Sequence, residues 1–198
     1  MSVAKDRPRR RGRPQGDEVK TAILNAANEL LEEEGFSGFT IEAVAARAGA
    51  ARSTIYRWWP TRGALAMAGL LSATVPKIPY KWTTSPLSDM KQQMMLVADV
   101  YSGKVGRIIS AIVAQGQGDP NTLKALIDGF VLPRRNEAKL VLMRAIECGE
   151  LRKDIDLEIV VDTLYGPIWY RMLVPQAPLS PRWAGKLADQ VFRGIRVK

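Results

Sequence analysis

Apolar residues recur at helical spacing along most of the chain. Val19, Ala22, Ile23, Ala26, Ala27 and Leu30 fall at i, i+3, i+4, i+7, i+8 and i+11, one face of a helix that starts soon after Gly16 and Asp17. Glu32, Glu33 and Glu34 follow, and Gly35 ends the pattern. Acids at a helix C-terminus oppose the macrodipole, so packing and propensity must outweigh them. Phe36 and Phe39 read as anchors in a short loop. Thr40 suits the N-cap of a second helix, with Glu42 in its first turn and Ile41, Val44, Ala45 and Ala48 on its apolar face. Gly49 permits a tight turn, because glycine alone visits positive φ cheaply. A third, short helix is expected from about Ala51 to Trp59, with Ala51, Ile55 and Trp59 facing inward. Pro60 ends it, and Thr61 caps a fourth from Arg62 to about Ala73.

Residues 74–86, with Pro76, Pro79 and Pro86, break the pattern. Helices are then expected near 87–101, 104–116, 121–148, 156–174 and 181–196. Pro133 should kink or split the long third segment. Ser180 precedes Pro181 as a capping serine before proline at the first helical position. No stretch alternates with period two, so the fold is read as all-α. Three parts are expected: a flexible basic arm (1–16), a three-helix helix-turn-helix unit (17–62), and a larger helical domain (63–198).

Composition narrows the chemistry. The 198 residues hold 29 Lys plus Arg against 20 Asp plus Glu, a net charge of +9, which favours a polyanionic partner. There is no histidine, and Cys148 is the single cysteine. That excludes zinc enzymes, Ser-His-Asp hydrolases and Cys-His proteases in their usual forms. With no Gly-rich phosphate loop and no paired carboxylates, neither an enzyme nor a cofactor or metal site is expected. No run approaches the roughly 20 apolar residues of a membrane span, and no apolar core follows the N-terminal arginines. A cytoplasmic protein without a membrane partner is expected.

Residues 40–62 carry the informative motif, two short helices joined by a glycine turn. The outer face of the second bears Ser53, Thr54, Tyr56 and Arg57, with Arg52 at its leading edge. Arginine grips guanine O6 and N7 in two bonds, threonine touches a thymine methyl, and hydroxyls suit phosphate oxygens. Glu42 is the one acid here, against Arg47, Arg52, Arg57 and Arg62. This window, from about residue 17 to 70, resembles the DNA-binding domain of the TetR (tetracycline repressor) family. The likeness rests on Glu33-Glu34-Gly35-Phe36, Thr40, the Ala45–Gly49 turn, Ser53 to Tyr56, and Trp58-Trp59-Pro60. It implies that Arg52, Ser53, Thr54, Arg57 and Trp58 approach base edges and that Thr40, Tyr56 and Arg62 bind phosphates. Trp58 stands where a smaller ring is frequent, and it also reads as glue between domains. Gly63 replaces the usual acid after the cap of the fourth helix. In the arm, Arg11-Gly12-Arg13-Pro14 resembles an AT-hook core, which would set Arg11 and Arg13 in a narrow minor groove. The same segment also reads as a solubilising tail.

The second half is rich in soft and aromatic side chains. Trp82, Met94, Tyr101, Phe130, Met143 and Trp169 are candidates for a small-molecule pocket, the resemblance implying an inducer site, or for an ordinary core. The segment 157–173 is apolar on more than one face, with Gly166-Pro167 inside it. Such a helix needs a second surface to cover it. Leu164, Tyr165, Ile168 and Met172, with Leu187 and Val191 of the last helix, are candidates for a homodimer interface. The reading is a homodimeric regulator, a repressor that binds double-stranded DNA at a palindromic operator and is released by a small-molecule effector. The alternative is an architectural DNA-binding protein without effector.

Overall fold

The structure, a computed structural model, describes residues 16–197; Arg11 and Arg13, and the reading of the arm, lie outside the described residues. Among the described residues the secondary structure is helical, apart from one antiparallel bridge between Leu151 and Arg196.

Helix α1 (Gly16–Gly38) buries Ile23, Ala26, Ala27 and Leu30 of the expected stripe, with Leu31 beside them, leaves Ala22 exposed and Val19 half-buried, and breaks at Gly35 (φ 69°). Helix α2 (Ile41–Ala48) starts where the Thr40 hydroxyl accepts the Ala43 N–H at 3.1 Å. It ends at Gly49 in the left-handed region (φ 62°, ψ 29°), where a Cβ would be strained. Helix α3 (Arg52–Trp58) follows at once. Helix α4 (Arg62–Thr74) is capped by the Thr61 hydroxyl, which accepts the Ala64 N–H at 3.0 Å, and packs along α1.

The second half holds α5 (Pro86–Ser102), α6 (Lys104–Gly116), α7 (Pro120–Leu126), α8 (Leu132–Glu147), α9 (Leu157–Leu173) and α10 (Pro181–Ile195). The expected helix 121–148 differs from observation in an informative way. The chain does not split at Pro133: α7 and α8 are joined by one wide π turn, Ile127–Val131. The Leu132 N–H bonds to the Ile127 carbonyl, five residues back. The shift comes immediately before the proline, which has no N–H to donate and whose ring would crowd the carbonyl four residues earlier. Helix α9 likewise runs through Gly166 and Pro167 as one element.

Helix α10 is strongly one-sided. It buries Ala184, Gly185, Ala188 and Phe192, packs on α5, and is tied there by Lys91 and Asp189 at 2.7 Å. Helices α8 and α9 run antiparallel, as their ion pairs show: Arg135 meets Asp162, and Lys139 meets Glu158.

Candidate functional site

The outer surface of α3 forms from its short amphipathic cycle. Ile55 is fully buried and Trp59 nearly so, which turns Arg52, Ser53, Tyr56 and Arg57 outward. Thr54 is half-buried at the edge, and Tyr56 keeps about half of its surface exposed. Ala51, expected to face inward, is exposed: it is the N-cap residue, in extended backbone, and stands outside the helical cycle. Two ion pairs organise this head. Arg47 grips Glu33 with both terminal nitrogens, at 2.9 and 2.7 Å, and joins α2 to α1. The Arg47 guanidinium holds the Glu33 carboxyl below its ordinary range, so one acid of the run that opposes the α1 macrodipole is matched across helices. Arg52 meets Glu42 at 2.6 Å, both exposed, so the α2 carboxylate orients the first arginine of α3.

Three expected contact residues have duties inside the protein. Thr40 uses a lone pair to cap α2, which leaves its O–H free to donate on an exposed residue. Trp58 is half-buried, edge-on to Trp59 (5.6 Å between rings), with the Arg57 guanidinium 5.2 Å from its ring. It lines a cleft shared with Asn121, Lys124 and Ala125 of α7, which puts it at the junction between head and body. Arg62 departs furthest from expectation. Its guanidinium donates to Gln115 Oε1 at 2.8 Å and to the Phe39 carbonyl at 3.4 Å, and lies 4.5 Å from the Phe36 ring. A cation with these partners ties the head to α6, a duty inside the protein that its expected phosphate contact would have to share.

A cavity of about 360 Å³ opens among α5, α6, α7, the π turn, α8 and α9. Of the six pocket candidates, Tyr101, Phe130 and Trp169 line it. Met94 is fully buried in the core beside it, and Trp82 and Met143 are exposed on the surface, so these three are corrections. Residue softness alone could not show which helix face turns to the void. The sequence reading missed Gln93, Val97, Leu126, Ile127, Arg134 and Tyr165, all on the wall. One legible signal existed: Gln93, Val97 and Tyr101 repeat every fourth residue, so a glutamine lies in line with apolar positions on α5. The Tyr80 and Tyr165 hydroxyls are 2.8 Å apart, and burial pushes the Tyr80 phenol up to about 12 and raises that of Tyr165 as well. Both remain neutral hydroxyls at physiological pH.

Three of the six dimer candidates need correction, Leu164, Tyr165 and Ile168. Leu164 and Ile168 are fully buried in this chain's own core, and Tyr165 belongs to the cavity wall. Met172, Leu187 and Val191 are half-buried. The uncovered side of α9 instead presents Ile159, Tyr170 and Leu173, and α8 presents Leu140 and Met143. The sequence showed two apolar faces on α9 but not which one this chain covers itself.

No helix among the described residues is long and apolar enough to cross a membrane. Residues 23–68 match the family model "Bacterial regulatory proteins, tetR family", and residues 83–191 match "Tetracyclin repressor-like, C-terminal domain". A Bacillus subtilis protein described as the uncharacterized HTH-type transcriptional regulator YdeS is 33% identical over 187 residues, 94% of each chain. The "DNA-binding transcriptional repressor TetR" of Mycobacteroides abscessus is 24% identical over 90% of this chain and 94% of its own. Among solved structures, the TetR family transcription regulator SCO0332 superposes with a TM-score of 0.83 at 31% identity, over 89% of this chain and 98% of that one. With two family models spanning head and body, and relatives matched over nearly the full length, the chain belongs to the TetR family of DNA-binding transcriptional regulators.

Proposed function

We propose that this regulator works as a homodimeric repressor whose two α3 helices enter successive major grooves of a palindromic operator, and that a small molecule in the α5–α9 cavity releases it. The supporting observation is the joint between cavity and head. Leu123 and Leu126 of α7 line the cavity, and Thr122, in the same helix, touches the Thr61 hydroxyl that caps α4, at 3.2 Å. A ligand that shifts α7 moves the residue on which the start of α4 rests. It acts only as far as its affinity differs between the two arrangements. The homodimer is carried by the outward faces of α8 and α9, where Leu140, Met143, Ile159 and Tyr170 lie exposed. Exposed apolar residues on two helices that pack together support an association surface there. Two-fold symmetry then sets half-sites about one turn or more apart. Arg52, Ser53, Thr54 and Arg57 read bases, and Tyr56 and Thr40 hold phosphates. Arg11 and Arg13 add minor-groove contacts from the arm. The protein acts in the cytoplasm, by binding and not by catalysis.

The test is a titration of labelled duplexes from the DNA beside the gene, palindromic and scrambled, at several salt concentrations. A preference of 10³-fold or so for the palindrome is expected from specific recognition. A ratio near one supports the architectural reading instead.

A further inference from the structure

The cavity wall is polar at few points, and most of its polar groups are already satisfied. Arg134 donates to Glu137 at 2.6 Å and to the Ile78 carbonyl at 2.8 Å, and its guanidinium lies 4.5 Å from the Tyr80 ring. Arg135 is held by Asp162 and Glu158 at the edge of the cavity. Tyr80 and Tyr165 hydrogen-bond to each other, with the Arg134 carbonyl and Met90 Sδ as further partners. These pairings leave no unpaired ion of either sign among the described residues of the wall, so an anion or a cation entering the cavity must share or displace a partner already engaged there.

Two groups stand apart, both on α5. Gln93 is 1% exposed, and its Nε2 donates to the Ile78 carbonyl at 3.1 Å. That bond fixes which end of the amide is nitrogen, since a carbonyl accepts only from N–H. Its Oε1 is then left with no donor among the described residues and with almost no accessible surface of its own, so a donor in the cavity reaches it as the wall beside it gives. A buried acceptor without a donor costs roughly 1–3 kcal/mol, and such groups in native proteins call for an absent partner. The second group is the Tyr101 hydroxyl, on a residue that is 5% exposed and lines the same wall. Gln93 and Tyr101 are eight positions apart on one helix face, about 12 Å along the axis, with Val97 midway on the same wall. Phe130 and Trp169 provide aromatic surface, the Trp169 ring edge-on to Tyr101 at 6.3 Å.

Resting on the reading of this cavity as the effector site, we propose that the effector is a neutral, mostly aromatic or aliphatic molecule carrying a hydrogen-bond donor, a hydroxyl or N–H, that completes Gln93 Oε1. The apolar stretch over Val97 takes the body of the molecule, and Tyr101 meets a second polar group at the far end of a longer ligand. A cavity of about 360 Å³ stands near the lower end of the roughly 300–1,000 Å³ range of small-molecule sites, so the ligand is compact. Carboxylates and ammonium compounds bind less well, because each ion of the wall already has a partner with which they compete.

Three probes of one shape test this on the full-length protein: para-phenylphenol, its methyl ether, and biphenyl-para-carboxylate. Affinity is read from tryptophan fluorescence and from the ligand-induced rise in Tm. The phenol should bind about tenfold more tightly than the ether, the size of one hydrogen bond to an otherwise orphaned acceptor. The carboxylate should bind more weakly than either. Gln93→Met, which keeps length and removes the acceptor, should bring phenol and ether within about threefold while both still bind. The wild-type ratio decides the matter even where that variant folds poorly. Equal wild-type affinities, a carboxylate that binds more tightly than the phenol, or no binding by any probe overturns the proposal. Operator binding is measured on the same preparation without probe. An intact, palindrome-specific complex beside a failed donor preference leaves the regulator reading standing, whereas loss of operator preference overturns that reading on its own.

Discussion

The hydroxyl oxygens of Thr61 and Thr122 lie 3.2 Å apart, and a Cβ added at Gly63 would come within 2.3 Å of the Thr122 side chain. Thr122 is fully buried and its hydroxyl is held by Asp119 at 2.5 Å, so it has nowhere to go. The cap of α4, the first turn of α4 and the start of α7 are thereby locked in one contact. Any side chain at position 63 would meet Thr122, so the contact as it stands requires glycine there.

Gly63→Ala should therefore overpack the joint by about 1–3 kcal/mol. In a chain of this size that is a fall of roughly 2–12 °C in Tm. Combining it with Thr122→Ala should recover part of the loss, because the removed atoms are the ones in the way. Strict additivity of the two in a double-mutant cycle would show that they do not meet.

Arg52 and Glu42 test the leading edge of the recognition helix. Arg52→Ala should cost about 1–3 kcal/mol on the operator and much less on random DNA, as expected for a base contact. Glu42→Gln removes the carboxylate 2.6 Å from Arg52 and the one acid of this stretch. Random DNA should then bind more tightly and the ratio of specific to non-specific affinity should narrow. Binding curves on both duplexes, at matched salt, check each expectation.

Thr54 and Tyr56 should separate reading from holding. Tyr56→Phe should weaken binding to all duplexes alike, since a phosphate contact carries no sequence information. Thr54→Ala should cost more on the operator than on random DNA. Equal losses for Thr54→Ala on both would remove it from base reading.

The two faces of α9 predict opposite outcomes for the same substitution. Ile159 is 63% exposed and Ile168 is fully buried. Ile159→Asp should leave the helical spectrum intact and yield monomers by sedimentation, because the charge enters only a shared interface. Ile168→Asp should unfold or aggregate the protein, since an unpaired charge would sit in the chain's own core. A wild-type monomer at micromolar concentration would refute the dimer.

Much of the local structure follows from short-range rules and was legible in order along the chain. Thr40, Thr61 and Ser180 cap the helices they precede, and Gly49 takes the left-handed turn, because caps and turns depend on residues within a few positions. The outward set on α3 follows from the buried Ile55 and Trp59 in the same way. What the tertiary structure decided is everything that depends on which element stands opposite. Arg62 looked like a phosphate ligand until Gln115, 53 positions later, engaged it. Leu164 and Ile168 looked like interface residues until the chain's own core covered them. Gln93 was one polar residue in an apolar stripe, and only the wall around it shows that its carbonyl oxygen has no donor among the described residues. Helical spacing says which residues share a face; it holds no information on whether a neighbouring helix, a second copy, a cavity or DNA lies against that face, because those contacts join residues far apart in sequence.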